Sequence, residues 1–340
     1  MRTFFLYKQF KRCIINKDAN DEPKRISFNS KVMKIYLNKI NETWIVDRVR
    51  EEWYQFNNSI STNKIKEADI IWVIAPWVWK KIPKRHLKNK KVVCTYHHFD
   101  FNKFGEKEKE NFLNLDQYVD EYHVVSKLTK TQLSTLTNKK ITSIPFWVNQ
   151  NNWFEIEEKY DLRENFDLNK EDYLIGSFQR DTEGHDLISP KLIKGPDIFL
   201  ELIKEEYKKN NKLKVILSGK RRNYLINNLE EIGIPYKYFE MAPLDVVNQL
   251  YNILDLYLVT SRVEGGPQAI LECSITKTPI LSTKVGVAPE VLHENAIFEV
   301  SAFNKAKVET EYAYKQAQNY TIPEGFKKFI DLFTRVTIES

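Results

Sequence analysis

Four short apolar runs bounded by polar residues constrain the fold most: Ile70-Ile71-Trp72-Val73-Ile74, Val92-Val93-Cys94-Thr95-Tyr96, Val215-Ile216-Leu217 and Leu256-Tyr257-Leu258-Val259. Runs of this length without polar alternation suit strands buried on both faces, as parallel strands are between layers of helices. Amphipathic segments separate them. Residues 43–53 behind Asn41, 127–136, the segment opened by Gly195-Pro196-Asp197 and residues 244–253 all carry helical periodicity, and residues 326–333 form a last such run. Further strands are expected at 32–37, 122–126, 173–178 and 279–282. This alternation predicts an α/β fold. A chain of 340 residues exceeds what one core normally serves, so two α/β domains are expected.

The most informative local pattern is Glu264-Gly265-Gly266-Pro267-Gln268-Ala269-Ile270-Leu271-Glu272, which follows the strand-like Leu258-Val259-Thr260-Ser261. It reads as strand, tight loop, helix. The spacing lets both carboxylates face one crevice at a strand's carboxyl end, where α/β sheets bind ligands. A carboxylate has acceptor positions for two vicinal hydroxyls, and such charge-assisted bonds belong to the stronger class. Gly265 and Gly266 let backbone amides approach a sugar or phosphate, and the helix opening near Pro267 turns its N-terminal dipole toward a diphosphate. Taken alone, the two glutamates also read as solvated residues flanking a helix.

The surroundings narrow the choice. The E-x7-E element is embedded in Ser261-Arg262-Val263-Glu264-Gly265-Gly266-Pro267-Gln268-Ala269, followed by Thr278-Pro279 and by Val285-Gly286-Val287-Ala288-Pro289-Glu290. From about residue 31 to its end the chain resembles the retaining GT-B glycosyltransferases of family 4, the group 1 glycosyl transferases. That resemblance implies two Rossmann-like domains facing across a cleft: an acceptor domain at 31–152, a nucleotide-sugar domain at 153–318, and a C-terminal helix at 319–340 crossing back. It implies transfer of a sugar from a nucleotide-diphosphate donor to a hydroxyl of a glycan or lipid-linked acceptor, with no metal and no cofactor beyond the donor. Within it, Glu264 lies by the donor sugar with Gly265, Gly266 and Pro267, and Glu272 holds the ribose hydroxyls. Arg180 and Lys194 neutralise the diphosphate, and His97, with His98 next in line, faces the reacting sugar. Three departures accompany the match. Ser177 stands where the family's strand glycine directly precedes the arginine, residues 181–186 form a long insertion, and Asn38-Lys39-Ile40-Asn41-Glu42-Thr43 replaces the family's Gly-rich loop after the first strand. A non-catalytic sugar-nucleotide-binding subunit, or another GT-B enzyme such as an epimerase or a phosphorylase, is the alternative.

Charge and cysteine usage bound the setting. A formal net charge of +6 suits anionic ligands rather than a dedicated nucleic-acid binder. Cys13, Cys94 and Cys273 are widely separated, which argues for a reducing, cytoplasmic location. The apolar N-terminal patch is broken by Lys8, Lys11 and Arg12 before it could serve as a signal or a span, and residues 1–30 read as an extension without an assigned role. Residues 77–91 interleave aromatics with cations. They form either a solvated connection between strands or a peripheral contact with an acidic membrane face.

Overall fold

The computed structural model describes residues 32–40 and 45–338, so the N-terminal extension and the Asn41 cap lie outside the described residues. Within the unit Met33–Ser340, ten strands form two all-parallel five-stranded sheets, in agreement with the α/β, GT-B expectation. The first holds β1 (Ile35–Leu37), β2 (Ile70–Val73), β3 (Lys91–Tyr96), β4 (Glu121–Val124) and β5 (Ile141–Ser143) in sequential order. The second holds β6 (Tyr173–Ser177), β7 (Leu213–Ser218), β8 (Tyr236–Phe239), β9 (Leu256–Val259) and β10 (Ile280–Ser282) in the order β10-β9-β6-β7-β8.

The apolar runs behave as double-sided strands. On β2, Ile70 and Trp72 enter the core on one face of the first sheet while Ile71 and Val73 enter the core on the other. Such alternation of an unbroken apolar run is the period of two that a strand imposes. The helix Leu244–Ile253 and strand Leu256–Val259 coincide with the sequence reading.

Several elements escaped that reading. β8 is an edge strand half-buried throughout, and its Tyr-Lys-Tyr-Phe sequence offers no apolar run. The helices Asn223–Ile232 and Thr310–Ala317 are rich in Asn, Gln and Tyr, which blur the apolar face. Residues 149–172, read as an irregular connection, contain the helix Lys159–Glu164 and a buried Trp153 that joins the second lobe's core. Arg163 fixes the segment by donating to the carbonyls of Ile253, Lys170 and Asp172 and to Asp255 at 2.7 Å.

The terminal helix Glu324–Ile338 leaves the second lobe and completes the first. Phe326, Phe329, Leu332, Phe333 and Val336 recur at helical spacing and pack into the core that holds Trp53 and Trp72. The Trp53 ring lies 5.6 Å from Phe326, 5.5 Å from Phe333 and 5.3 Å from Trp72, all edge-on. Edge-on aromatic pairs contribute beyond their buried area. Arg335 adds a fork to the buried Glu121, with Nη2 at 2.6 Å from Oε1. Phe329→Ala should therefore destabilise the first lobe by about 3–5 kcal/mol, read as a lower urea midpoint in tryptophan fluorescence. Lys328→Ala, on the exposed side of the same helix, should leave the midpoint in place; equal midpoints for both variants would remove the helix from the core.

Candidate functional site

In the second sheet the chain runs outward from β6 through β7 to β8, then returns to the other side of β6 with β9 and β10. Strand order reverses between β6 and β9, and the crevice beyond the carboxyl ends of those strands is the switch point where open α/β sheets take ligands. The loops after β6 and β9 meet there. Gly195 adopts φ +63°, and a Cβ on it would lie 1.8 Å from the Thr260 carbonyl oxygen, so only glycine lets the segments approach. Arg262 and Val263 donate their backbone amides to the Ile193 carbonyl at 2.8 and 3.1 Å. The Gln179 side chain donates to the Lys194 carbonyl at 2.9 Å and accepts from the Ser261 hydroxyl at 3.2 Å.

This zipper brings together residues seventy positions apart. Lys194 Nζ makes a hydrogen-bonded ion pair with Glu264. Gly265 and Gly266 carry the loop against the first lobe: a Cβ on Gly265 would come within 1.5 Å of the His97 carbonyl oxygen, and Val125 covers both glycines. Pro267 precedes the helix Gln268–Ile275, whose second turn buries Glu272. Glu272 accepts from the Tyr251 hydroxyl at 2.8 Å through Oε2, while Oε1 is ion-paired with Arg48 from the first lobe. Glu290, behind the same loop, accepts from the Lys127 backbone amide at 2.7 Å, at the start of the helix Lys127–Leu133. A carboxylate there also complements that helix's N-terminal dipole.

A group of cations lines the β6 side. Arg180 donates Nε to the Thr182 carbonyl at 2.6 Å; burial, then repulsion from Arg221, lowers its pKa. Burial, reinforced by Lys194 and Arg180, pushes the Lys191 ammonium down to about 8. Of the insertion, Asp181 is structural: it is buried against Arg222 at 3.0 Å and accepts from the Tyr224 amide. The chain beyond it pairs Thr182 with Pro190 in an antiparallel bridge.

On the first lobe, His97 Nε2 lies 2.8 Å from the Ile74 carbonyl, an acceptor that requires the ring N–H there. Burial pushes His97 down to about 4, so its imidazole is neutral at pH 7. His98 is lowered as well, first by burial, although Glu264 opposes the shift. Where a Gly-rich loop was absent, Asn38 is buried and exchanges two hydrogen bonds with the Ala75 backbone at 3.1 and 3.2 Å. The basic segment forms the 3-10 helix Pro76–Lys81 and the helix Lys84–Asn89; Trp77, Lys80, Lys81, Lys84, Arg85 and Lys88 are exposed, whereas Trp79 is buried. No helix among the described residues is long and apolar enough to cross a membrane. Nor do the described residues hold a group of three or more His, Cys, Asp or Glu arranged for a metal ion.

The structure thus gathers Glu264, Gly265, Gly266, Pro267, Lys194, Arg180, His97 and His98 around one crevice, with Glu272 in its wall. It adds Arg48, Tyr251, Gln179 and Lys191, which carry no sequence mark. Arg48 sits in an ordinary amphipathic helix, and Lys191 is three residues from the lysine that the motif does single out.

Residues 189–312 match the family model for glycosyl transferases group 1. None of the curated proteins compared matches the sequence. Among solved structures, Anabaena HepE in complex with UDP-glucose superposes with a TM-score of 0.70 at 13% identity, covering 89% of this chain and all of that one. Sucrose-phosphate synthase from Thermosynechococcus elongatus gives 0.66 at 13% identity, over 89% of this chain and 82% of its own. The pneumococcal O-GlcNAc transferase GtfA, in complex with UDP and GlcNAc, gives 0.59 at 15% identity, over 79% and 57%. The chain shares the GT-B fold of these glycosyltransferase structures.

Lys191 supplies a pH signature. With its pKa near 8, its charge is present at pH 7 and lost as the pH rises through 8, so the affinity for any anion held there is expected to fall in the alkaline direction. Calorimetric affinity for inorganic sulfate, whose own charge is constant over this range, should weaken about tenfold from pH 7 to 9, the loss of one proton-linked charge. Lys191→Met should bind more weakly at pH 7 and show a flat profile; a variant as pH-dependent as the parent would exclude Lys191 as the titrating group.

Proposed function

We propose that the protein is a retaining, metal-independent glycosyltransferase that moves a sugar from a nucleotide-diphosphate donor to a hydroxyl of a glycan or lipid-linked acceptor. The observation that carries this reading is the convergence of Glu264, Lys194 and Arg180 at the switch point of the second sheet, with Glu272 one helical turn deeper. The group 1 match over the same lobe supports it, as do fold relatives solved with UDP or UDP-glucose.

In this mechanism the bond from the anomeric carbon to the donor phosphate breaks and a bond to the acceptor oxygen forms on the same face. The acceptor proton passes to the departing phosphate oxygen, so no enzymatic base is required. Arg180 and Lys194 hold the diphosphate, whose growing negative charge they stabilise as the bond breaks. Lys194 starts the cycle paired to Glu264; donor binding passes the ammonium to phosphate and frees the carboxylate, with the Gly265 and Gly266 amides, for the sugar. His97 stays neutral and serves the reacting face as a hydrogen-bonding group rather than as a cation. Closure of the lobes excludes water that would otherwise hydrolyse the donor.

The exposed face around Trp77, Lys80, Lys81, Lys84, Arg85 and Lys88 belongs to this reading as a peripheral dock on acidic lipid beside a lipid-linked acceptor. Sedimentation should show binding to vesicles containing anionic lipid and little to neutral ones; equal binding to both would eliminate the dock. The protein itself would work in the cytoplasm, where the buried Cys94 and Cys273 thiols remain reduced.

A screen of nucleotide sugars by thermal shift should find a donor that raises the melting temperature, since a ligand that binds the folded state stabilises it. Glu272→Ala should remain folded and lose donor affinity about tenfold to a hundredfold, as removal of hydrogen bonds to a charged group predicts. Unchanged affinity by calorimetry would sink the site. Turnover that needs an added acceptor supports transfer. Binding without turnover would make the protein a sugar-nucleotide-binding subunit, and acceptor-free or phosphate-dependent product would make it an epimerase or a phosphorylase.

A further inference from the structure

Arg48 makes a polar contact between the lobes that the proposed mechanism leaves unused. It sits on the helix Ile45–Phe56 of the first lobe and ion-pairs with Glu272 Oε1 on the second. Its guanidinium also lies over the Trp153 ring, 5.3 Å from the centroid, on the segment joining the lobes. Glu52, one turn further along the same helix, adds a second negative charge in its field. That carboxylate is held by Trp147 Nε1 at 2.7 Å and Asn149 Nδ2 at 3.3 Å. Arg48 is thus fixed between an aromatic face and two acids, not left to sample solvent.

The orientation of Glu272 is set by these contacts. Only 6% of the residue is exposed, and burying a carboxylate is costly without a charge partner and good hydrogen bonds. Arg48 is the charge partner and Tyr251 the hydrogen-bond donor, one to each oxygen. A carboxylate offers about four acceptor positions over its two oxygens. One position on each oxygen therefore remains, which is the requirement for two vicinal hydroxyls.

We infer that Arg48 is a positioning residue for the donor: reaching from the first lobe, it holds Glu272 aimed so that the two remaining acceptor positions receive the ribose diol. The donor pocket is then built by both lobes, and ribose recognition is complete only when the cleft is closed. This inference rests on the ribose reading of Glu272.

The test compares ribose with deoxyribose. Calorimetry is run with UDP, ADP and GDP and their 2′-deoxy counterparts against the full-length protein, Arg48→Met and Arg48→Lys, with melting temperatures recorded for each. The parent should prefer the ribonucleotide about tenfold or more, the worth of one hydrogen bond to a charged group. In Arg48→Met that preference should fall below about threefold, and Arg48→Lys, which retains the charge but not the fork, should recover part of it. A strut between the lobes with no part in recognition would lower the melting temperature and leave the preference intact, which would overturn the inference. If the parent itself shows no preference for any base, the ribose reading of Glu272 fails first, and the two failures remain distinguishable.

Discussion

At Gly265 a loop of the second lobe lies so close to the first that a Cβ would come within 1.5 Å of the His97 carbonyl oxygen. Everything in the crevice depends on that approach. Gly286, at φ +48°, supports the loop from behind, where a Cβ would meet the Gly265 carbonyl oxygen at 2.3 Å. Two backbone-sized gaps thus set how near the sheets come, and that distance decides whether Arg48 can reach Glu272 and whether Glu290 can reach Lys127. Side chains here would hold the cleft ajar. The glycines exchange local backbone entropy for contact between lobes.

Electrostatics in the cleft follow one pattern. Lys194 is matched by Glu264 and Arg48 by Glu272, so these part-buried charges satisfy one another within the protein. This avoids the several kcal/mol that an isolated buried ion would cost. Lys191 and Arg180 bear burial together with repulsion from neighbouring cations, and their pKa values are lowered accordingly. In the proposed reading, a diphosphate entering such a site would replace repulsion among cations with attraction. The lowered pKa of His98 follows the same pattern, since Lys194 and Lys191 reinforce the effect of its burial.

The fold was largely legible because burial on both faces leaves an unbroken apolar run, as at β2, β3 and β9. Most of the crevice was legible for a different reason: Glu264, Gly265, Gly266 and Glu272 lie within nine consecutive residues, so one loop and one helix turn fix their relation. Arg48 and Tyr251 were not legible, since their relation to Glu272 is set by the meeting of two lobes and of two helices, which no spacing in the chain encodes. Gln179 and Lys191 depend on the zipper between the β6 and β9 loops. Edge strand β8 and the helix Thr310–Ala317 stayed hidden because half-buried elements need no clean apolar pattern.

The aromatic packing of Phe326, Phe329 and Phe333 around Trp53 and Trp72 has a bearing on biosynthesis. A ribosome delivers the strands of the first sheet before those of the second, yet the residues that finish their core emerge only after the whole of the second lobe's core. The second lobe, whose core draws on residues 148–317, has its complete complement while the first still exposes a tryptophan-rich face. The first lobe can therefore close its core only after the second lobe has been synthesised, which lengthens the time its apolar surface is exposed during translation.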